Sequence, residues 1–267
     1  IKGKRISHIP MNGAWKLESL KDHPDILLGC SYEKLFLLKK RNATWMFDGW
    51  IDGFNESSKV FEEDSDGKIW FSHWLKGLFR LEIDFNSRTV TKQEYLAKNV
   101  GFPEDWGNTP MDINGEIIFH TPQGFYLYDA YDRNAYSYDK LNDLFETPPA
   151  GANIYITPEN DLYISSGKQQ IFCDRTEDGF RVDSLSLSQL TSRRIVGFDD
   201  IISISDDKIL VNTEDGFSII RTDILKEKEH KSGNSLHISE ISLSQKNDTI
   251  ISKDFRNGIS CIIKARR

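Results

Sequence analysis

The sequence predicts an all-β fold, a β-propeller of six four-stranded blades. Three observations lead there. A turn followed by an apolar strand recurs six times along the 267 residues. A second apolar strand follows each recurrence after a short polar turn, and further strands, the outer ones more polar, stand before and behind each pair.

The stretch Glu63–Leu81 shows the unit most clearly. Asp66-Gly67 is a two-residue hairpin signal, because the favoured turn needs φ > 0 and glycine adopts it without steric cost. Ile69-Trp70-Phe71 is a run of β-branched and aromatic residues suited to a strand, and Lys76-Gly77 turns the chain into Leu78–Leu81. The same apolar strand recurs at Asp25–Leu28, Lys68–Phe71, Glu116–Phe119, Asp161–Ile164, Lys208–Val211 and Asp248–Ile251, at spacings of 40 to 48 residues. Turn residues precede each: Asp22-His23-Pro24, Asp66-Gly67, Asn114-Gly115, Asn160-Asp161, Asp206-Asp207 and Asn247-Asp248.

The second strands run over Leu35–Leu38, Leu78–Leu81, Phe125–Tyr128, Ile171–Cys173, Phe217–Ile220 and Ile259–Ile263, four of them preceded by glycine (Gly77, Gly124, Gly216, Gly258). Strands ahead of the turns include Lys59–Glu62, Ile154–Thr157, Ile201–Ser205 and His237–Leu243; outer, more polar strands include Thr44–Phe47, Thr89–Tyr95 and Phe180–Leu185. A unit of this size with four antiparallel strands is a propeller blade, buried on both faces by its neighbours. The sixth unit lacks an outer strand and Lys4–Ile9 lacks a sheet, so pairing them closes the ring and removes an open edge. Residues 1–267 are then one domain; a larger, seven-bladed ring is the alternative. Long connections at Gly49–Ser58, Leu96–Asn108, Lys140–Ala150, Ser186–Phe198 and Asp223–Ser235 gather on one rim, where binding residues concentrate.

Composition narrows the function. A formal charge of −7 argues against nucleic acid as a partner, since phosphate binding requires a basic face. No apolar run approaches the roughly 18 residues that cross a bilayer. Ile1–Arg5 leads straight into a strand-like segment, as in an excised piece or a mature domain. Cys30, Cys173 and Cys261 fall in no metal-ligand spacing and are read as buried free thiols.

Candidate binding residues lie on the expected rim. Trp50, Trp74, Phe102 and Trp106 offer rings that stack on a sugar or anchor a loop. Arg193, Arg194 and Arg256 offer planar forks for an oxyanion, or simply solvated charge. His73 and His120 occupy equivalent places and read as structural; Asp64 and Asp66 read as turn-forming. No nucleophile elbow, phosphate loop, dinucleotide fingerprint or zinc-protease motif is present, and although a propeller active site can be assembled from scattered residues, no catalytic residue, cofactor or metal is named.

Glu63-Asp64-Ser65-Asp66-Gly67-Lys68-Ile69-Trp70-Phe71-Ser72, followed by Lys76-Gly77-Leu78-Phe79-Arg80-Leu81, resembles the repeat of the two-component regulator propeller family. The shared run is an acidic pair, Asp-x-x-Gly, an apolar residue, Trp and a small residue, then Gly-Leu. The other units keep the turns but not the tryptophan. The resemblance implies the extracytoplasmic, periplasmic sensor of a transmembrane regulator of Bacteroidetes, not an enzyme, with ligands derived from glycan breakdown. It also implies downstream domains of the same polypeptide as partners, beside an oligosaccharide or other small-molecule ligand; a homodimer is a separate expectation. A propeller glycoside hydrolase or lyase and a protein-interaction scaffold are the rival readings.

Overall fold

The computed structural model describes residues 9, 11–166, 170–183, 187, 190, 193, 195, 201–227, 242–245 and 248–251. The chain divides into two compact units, Ile1–Leu225 and Lys226–Arg267. The first unit is a series of antiparallel sheets whose strands follow one another in chain order, the arrangement of propeller blades. Sheet one holds β1 (Ala14–Ser19), β2 (Ile26–Ser31), β3 (Leu35–Arg41) and β4 (Thr44–Trp50). Sheet two holds β5 (Val60–Glu63), β6 (Ile69–His73), β7 (Gly77–Asp84) and β8 (Thr89–Leu96).

Sheet three comprises β9 (Thr109–Ile113), β10 (Glu116–Thr121), β11 (Gly124–Asp129) and β12 (Asn134–Ser137), followed by the one-turn helix α1 (Asp139–Asn142). Sheet four comprises β13 (Asn153–Ile156), β14 (Leu162–Ser165), β15 (Gln170–Arg175) and β16 (Phe180–Asp183). Among the described residues sheet five has three strands, β17 (Ile201–Ser205), β18 (Lys208–Thr213) and β19 (Gly216–Arg221), and then helix α2 (Thr222–Glu227) follows. In the second unit β20 (Ser242–Gln245) and β21 (Asp248–Ile251) form a hairpin.

Why these residues make these strands follows from burial. Every residue of β6 and of β14 is buried, as a strand covered on both faces requires, whereas the outer β4 is largely exposed or half-buried. The cover comes from the neighbouring sheet. One apolar cluster, including Leu28, Leu37, Phe61 and Phe71, fills the space between sheets one and two. A second, around Trp70, Leu78 and Phe119, lies between sheets two and three. A third joins Ile118 and Phe125 to Leu162 and Ile171 across sheets three and four, and a fourth joins Tyr163 and Phe172 to Ile209 and Val211 across sheets four and five. Each fully buried phenylalanine or leucine contributes roughly 1.5–3 kcal/mol.

The motif in sheet two has a definite physical meaning. Asp64 Oδ1 accepts the backbone N–H groups of Asp66 (3.0 Å) and Lys68 (2.9 Å), which shapes the turn. Its Oδ2 accepts the Trp70 indole N–H at 2.9 Å and an Arg80 N–H at 2.8 Å. Arg80 also lies 5.0 Å over the Trp70 ring, and that ring meets Phe119 of sheet three edge-on at 4.8 Å. Burial opposes the Asp64 charge, but Arg80, the Lys68 N–H and the indole outweigh it and hold the carboxyl below its ordinary value. The residues that define the turn thus also orient the ring that bolts two sheets together.

Small residues within strands have local causes. Gly29 lies opposite Phe36, and a Cβ on it would stand 2.2 Å from the Phe36 ring. Ser72 Oγ donates to the Asn108 carbonyl at 2.6 Å, and Ser165 Oγ accepts from Gln170 at 3.1 Å. Gly77 opens β7 at φ 96°, and a Cβ there would meet the Asp105 carbonyl oxygen at 2.3 Å.

The expectation of six four-stranded blades is corrected. Among the described residues four sheets have four strands, one has three and one has two. After β19 the chain enters α2 instead of an outer strand, because Thr222–Glu227 carries helix formers with Asp223 at the favourable end of the helix dipole. The Thr222 N–H is held by the Asp207 carbonyl at 2.9 Å. The expected ring closure, between Lys4–Ile9 and Ile259–Ile263, lies outside the described residues, as does Cys261; Cys30 and Cys173 are buried free thiols.

Two substitutions test this description by urea denaturation. Asp64→Ala is expected to cost about 3 kcal/mol or more, because it leaves Arg80 buried with only the 3.7 Å contact to Asp66. A loss no larger than that of an exposed aspartate on a loop would contradict the role given to Asp64. Gly77→Ala is expected to cost about 2 kcal/mol, through its positive φ and the clash with Asp105; an unchanged unfolding midpoint would show that the loop yields freely.

Candidate functional site

The turns between the second and third strands and the long connections between sheets meet on one rim. In sheets one, two and three the turn is tied by the residue that ends its second strand. Ser31 Oγ accepts from the Glu33 and Lys34 N–H groups, at 3.1 and 3.2 Å. His73 Nδ1 accepts from Leu75 and Lys76, at 3.1 and 3.0 Å, and Thr121 Oγ1 accepts from Gln123 at 3.1 Å. His73 lies opposite Gly77 and Thr121 lies opposite Gly124, so the equivalent of His73 in sheet three is Thr121, not His120. His120 instead uses Nε2–H to reach the Pro149 carbonyl at 3.0 Å from a buried position against Phe125. Burial lowers the pKa of both imidazoles.

The long connections lock onto those turns. Ser57 Oγ donates to the Ser31 carbonyl at 3.2 Å, and Lys76 pairs with Glu56 at 2.7 Å. The connection after β8 runs beside the β6–β7 turn, held through Asn108 and Gly77. Out of this rim project Trp74, 72% exposed, and Trp106, 52% exposed. Trp50 is half-buried, edge-on to Phe36 and Phe47 at 5.8 and 5.5 Å, with the Lys34 ammonium 5.6 Å from its ring.

Phe102, only 2% exposed, belongs to the core between sheets two and three, where it meets Phe119 at 5.1 Å. Arg193 is exposed, and one of its N–H groups faces both Asp215 oxygens, at 2.7 and 2.8 Å. Arg194 and Arg256 lie outside the described residues. The rim therefore brings Trp74 and Trp106 to neighbouring loops and leaves Phe102 inside.

A second locus has no counterpart among the sequence-stated candidates. The first strands β1, β5, β9, β13 and β17 border a cavity of about 1010 Å³. At its wall Lys16 Nζ donates to the Phe61 carbonyl at 2.5 Å and to Glu62 at 2.8 Å, and stands 2.6 Å from Glu18. Asp112 on β9 accepts from Lys21 at 2.6 Å. Burial works against the Lys16 ammonium, but Glu62 and Glu18 outweigh it and raise its pKa. Glu62 is pushed up to about 7, by burial first and then by the charges of Glu18 and Asp112, against the pull of Lys16. The signal that points here is a charged pair at i and i+2, Lys16 and Glu18, inside a first strand.

Glu18 and Glu62 converge, but Lys16 stands between them and occupies the gap that a scissile bond would need. Among the described residues no group of three or more His, Cys, Asp or Glu side chains is placed to hold a metal ion.

The raised carboxyl carries a pH dependence. Below its ordinary value of 4.5, Glu62 is protonated folded or unfolded; between there and about 7 the folded state alone keeps the proton, so this group's stabilisation is lost as pH rises. Glu62→Gln is expected to flatten the fall in stability across that window. Thermal melts of parent and variant that run parallel from pH 4.5 to 7 would remove the basis for the shift.

No family model and no curated protein matches the sequence. Solved structures match it in fold. The extracellular domain of the one-component system BT4673 from B. thetaiotaomicron aligns at a TM-score of 0.50 and 16% identity, covering 78% of this chain and 28% of that one. The extracellular domain of the hybrid two-component system BT3049 from the same organism aligns at 0.50 and 17%, covering 80% of this chain and 27% of that one. Likeness to virginiamycin B lyase from Staphylococcus aureus is lower, at a TM-score of 0.46 and 14% identity. The chain spans little more than a quarter of the two Bacteroides domains, and over that span it shares their all-β propeller fold.

Proposed function

We propose that this chain is the extracytoplasmic, sensory propeller of a transmembrane signalling or transcriptional regulator, binding a glycan-derived ligand on its loop-rich rim. One observation carries the reading: rigid sheets present two exposed indoles, Trp74 and Trp106, on adjoining loops. Exposed aromatic faces of this kind stack on the apolar face of a sugar ring at little conformational cost. The shared fold with extracellular domains of B. thetaiotaomicron regulators supports the location and the sensory role. Trp50, half-buried at the end of β4, and Arg193, Arg194 and Arg256 are the further contacts proposed for an acidic sugar.

Binding would be passed to downstream domains of the same polypeptide through the rim loops, with a homodimer as the transmitting assembly. The rim itself favours binding over hydrolysis, since its carboxylates are engaged: Glu56 by Lys76 and Glu104 by Lys98, at 2.7 and 2.8 Å. A net charge of −7 leaves nucleic acid outside the proposed partners.

A thermal-shift screen of neutral and acidic oligosaccharides tests this. At least one is expected to raise the melting temperature, and Trp74→Ala or Trp106→Ala to weaken its binding roughly tenfold, the effect of about 1.4 kcal/mol. Release of a shortened sugar would favour the hydrolase or lyase reading instead. Absence of any stabilising sugar, or unaltered affinity in both variants, would reject the rim as a sugar site.

A further inference from the structure

We infer, resting on the reading of the rim as a sugar site, that the unit seated against Trp74 and Trp106 is an uncharged sugar bearing two adjacent hydroxyls, and that the Asp105 carboxylate receives both. The place of Asp105 is the first support. It directly precedes Trp106, is exposed as the two indoles are, and its carbonyl oxygen would stand 2.3 Å from a Cβ on Gly77, the residue that follows the turn carrying Trp74. Asp105 therefore lies where the two indole-bearing loops touch.

Both loops are fixed by the protein's own contacts. On one side of Asp105, Phe102 is sunk in the core; on the other, Asn108 is fully buried, its Nδ2 donating to the Glu104 carbonyl at 2.8 Å and its carbonyl accepting from Ser72 at 2.6 Å. The Lys98 N–H donates to Asp105 Oδ1 at 3.1 Å and so orients the carboxylate. The opposing turn is held by His73 Nδ1, which accepts from both Leu75 and Lys76. Groups set in this way lose little freedom when a ligand arrives.

The preference for a neutral sugar follows from which charges are already matched. Lys76 is paired with Glu56 at 2.7 Å and Lys98 with Glu104 at 2.8 Å. Burial lowers the pKa of His73, so its imidazole adds no positive charge at neutral pH. Asp105 is the carboxylate these pairings leave over, with a backbone N–H and no cationic side chain bonded to it among the described residues. A carboxylate accepts hydrogen bonds and donates none. A uronate or a sulfated sugar brought against it meets like charge, whereas hydroxyls donate to it and gain the strength of charge-assisted bonds.

Hydroxyls on neighbouring ring carbons lie side by side, so one carboxylate takes both, one on each oxygen; Oδ1 keeps a lone pair beside its bond from Lys98. A sugar stacked on an indole points its hydroxyl-bearing edge sideways, toward what flanks the ring. Tyr95 adds a further exposed ring at the same turn, its edge 3.4 Å from the Gly77 Cβ position, and burial together with the Asp105 charge keeps its phenol protonated. A single carboxylate without a second one across the bond suits binding and not hydrolysis. Arg193 serves a different turn, with Asp215 between β18 and β19, so an acidic unit of the same oligosaccharide would lie elsewhere.

Calorimetric titration of the whole 267-residue chain tests this with cellotriose, mannotriose and galactotriose, each beside its C6-oxidised uronate. At least one neutral trisaccharide is expected to bind roughly tenfold tighter than its uronate. Asp105→Asn keeps the side-chain shape and the acceptor for Lys98; it is expected to leave the melting temperature of the free protein unchanged, to weaken the neutral sugar roughly tenfold and to bring the two affinities of the pair together. Binding that is lost in Trp74→Ala or Trp106→Ala but keeps its strength and its neutral preference in Asp105→Asn overturns this inference and leaves the rim reading standing. Tighter binding of a uronate, or no binding of any of the six sugars, overturns it as well. Binding that both tryptophan variants leave intact removes the rim reading and this inference together.

Discussion

The governing constraint is that a four-stranded sheet with an apolar middle cannot bury both faces by itself. β6 and β14 contain no exposed residue, so each depends on a neighbour on either side. Among the described residues the chain meets that requirement by stacking consecutive sheets, with a separate cluster at each boundary from sheet one to sheet five. Trp70 shows how local and long-range order are joined: its ring packs across a boundary while its N–H and its face are fixed by Asp64 and Arg80 of its own sheet. Turn chemistry and sheet stacking are therefore two results of one side-chain network.

Much of this was legible from residues alone, because a turn signal is a property of two or three adjacent residues. Asp66-Gly67 and Asn114-Gly115 specify their hairpins without reference to the remainder of the chain, and the strands on either side follow. Where local preference and repeat pattern disagreed, the sequence was ambiguous. Thr222–Glu227 sits where an outer strand would begin, yet its residues favour a helix, and the helix forms. The two histidines illustrate a finer limit. His73 and His120 look equivalent by spacing, but a one-residue difference in turn length makes Thr121 the counterpart of His73.

Candidate binding residues were legible only as residue types. Phe102 and Trp106 lie four positions apart in one connection, and loop geometry alone sends the first into the core and the second to solvent. Arg193 was visible as a fork, but its partner Asp215 is 22 residues away and could not be paired by inspection. The cavity was overlooked for another reason. Lys16, Glu18, Glu62 and Asp112 are unremarkable one by one, and become a cluster only when the first strands of three sheets are brought side by side. The two loci also differ in kind: the rim offers exposed hydrophobic faces, the cavity a cluster of paired charges centred on Lys16.

The partition of the interior into discrete clusters bears on how such a molecule grows over evolutionary time. Because each cluster, among the described residues, is made by two adjoining sheets, a duplicated stretch of gene encoding one sheet brings its own complementary surface on either side. Extra copies can be accommodated without redesigning what is already there, and individual copies can then diverge at their loops while their interiors stay interchangeable.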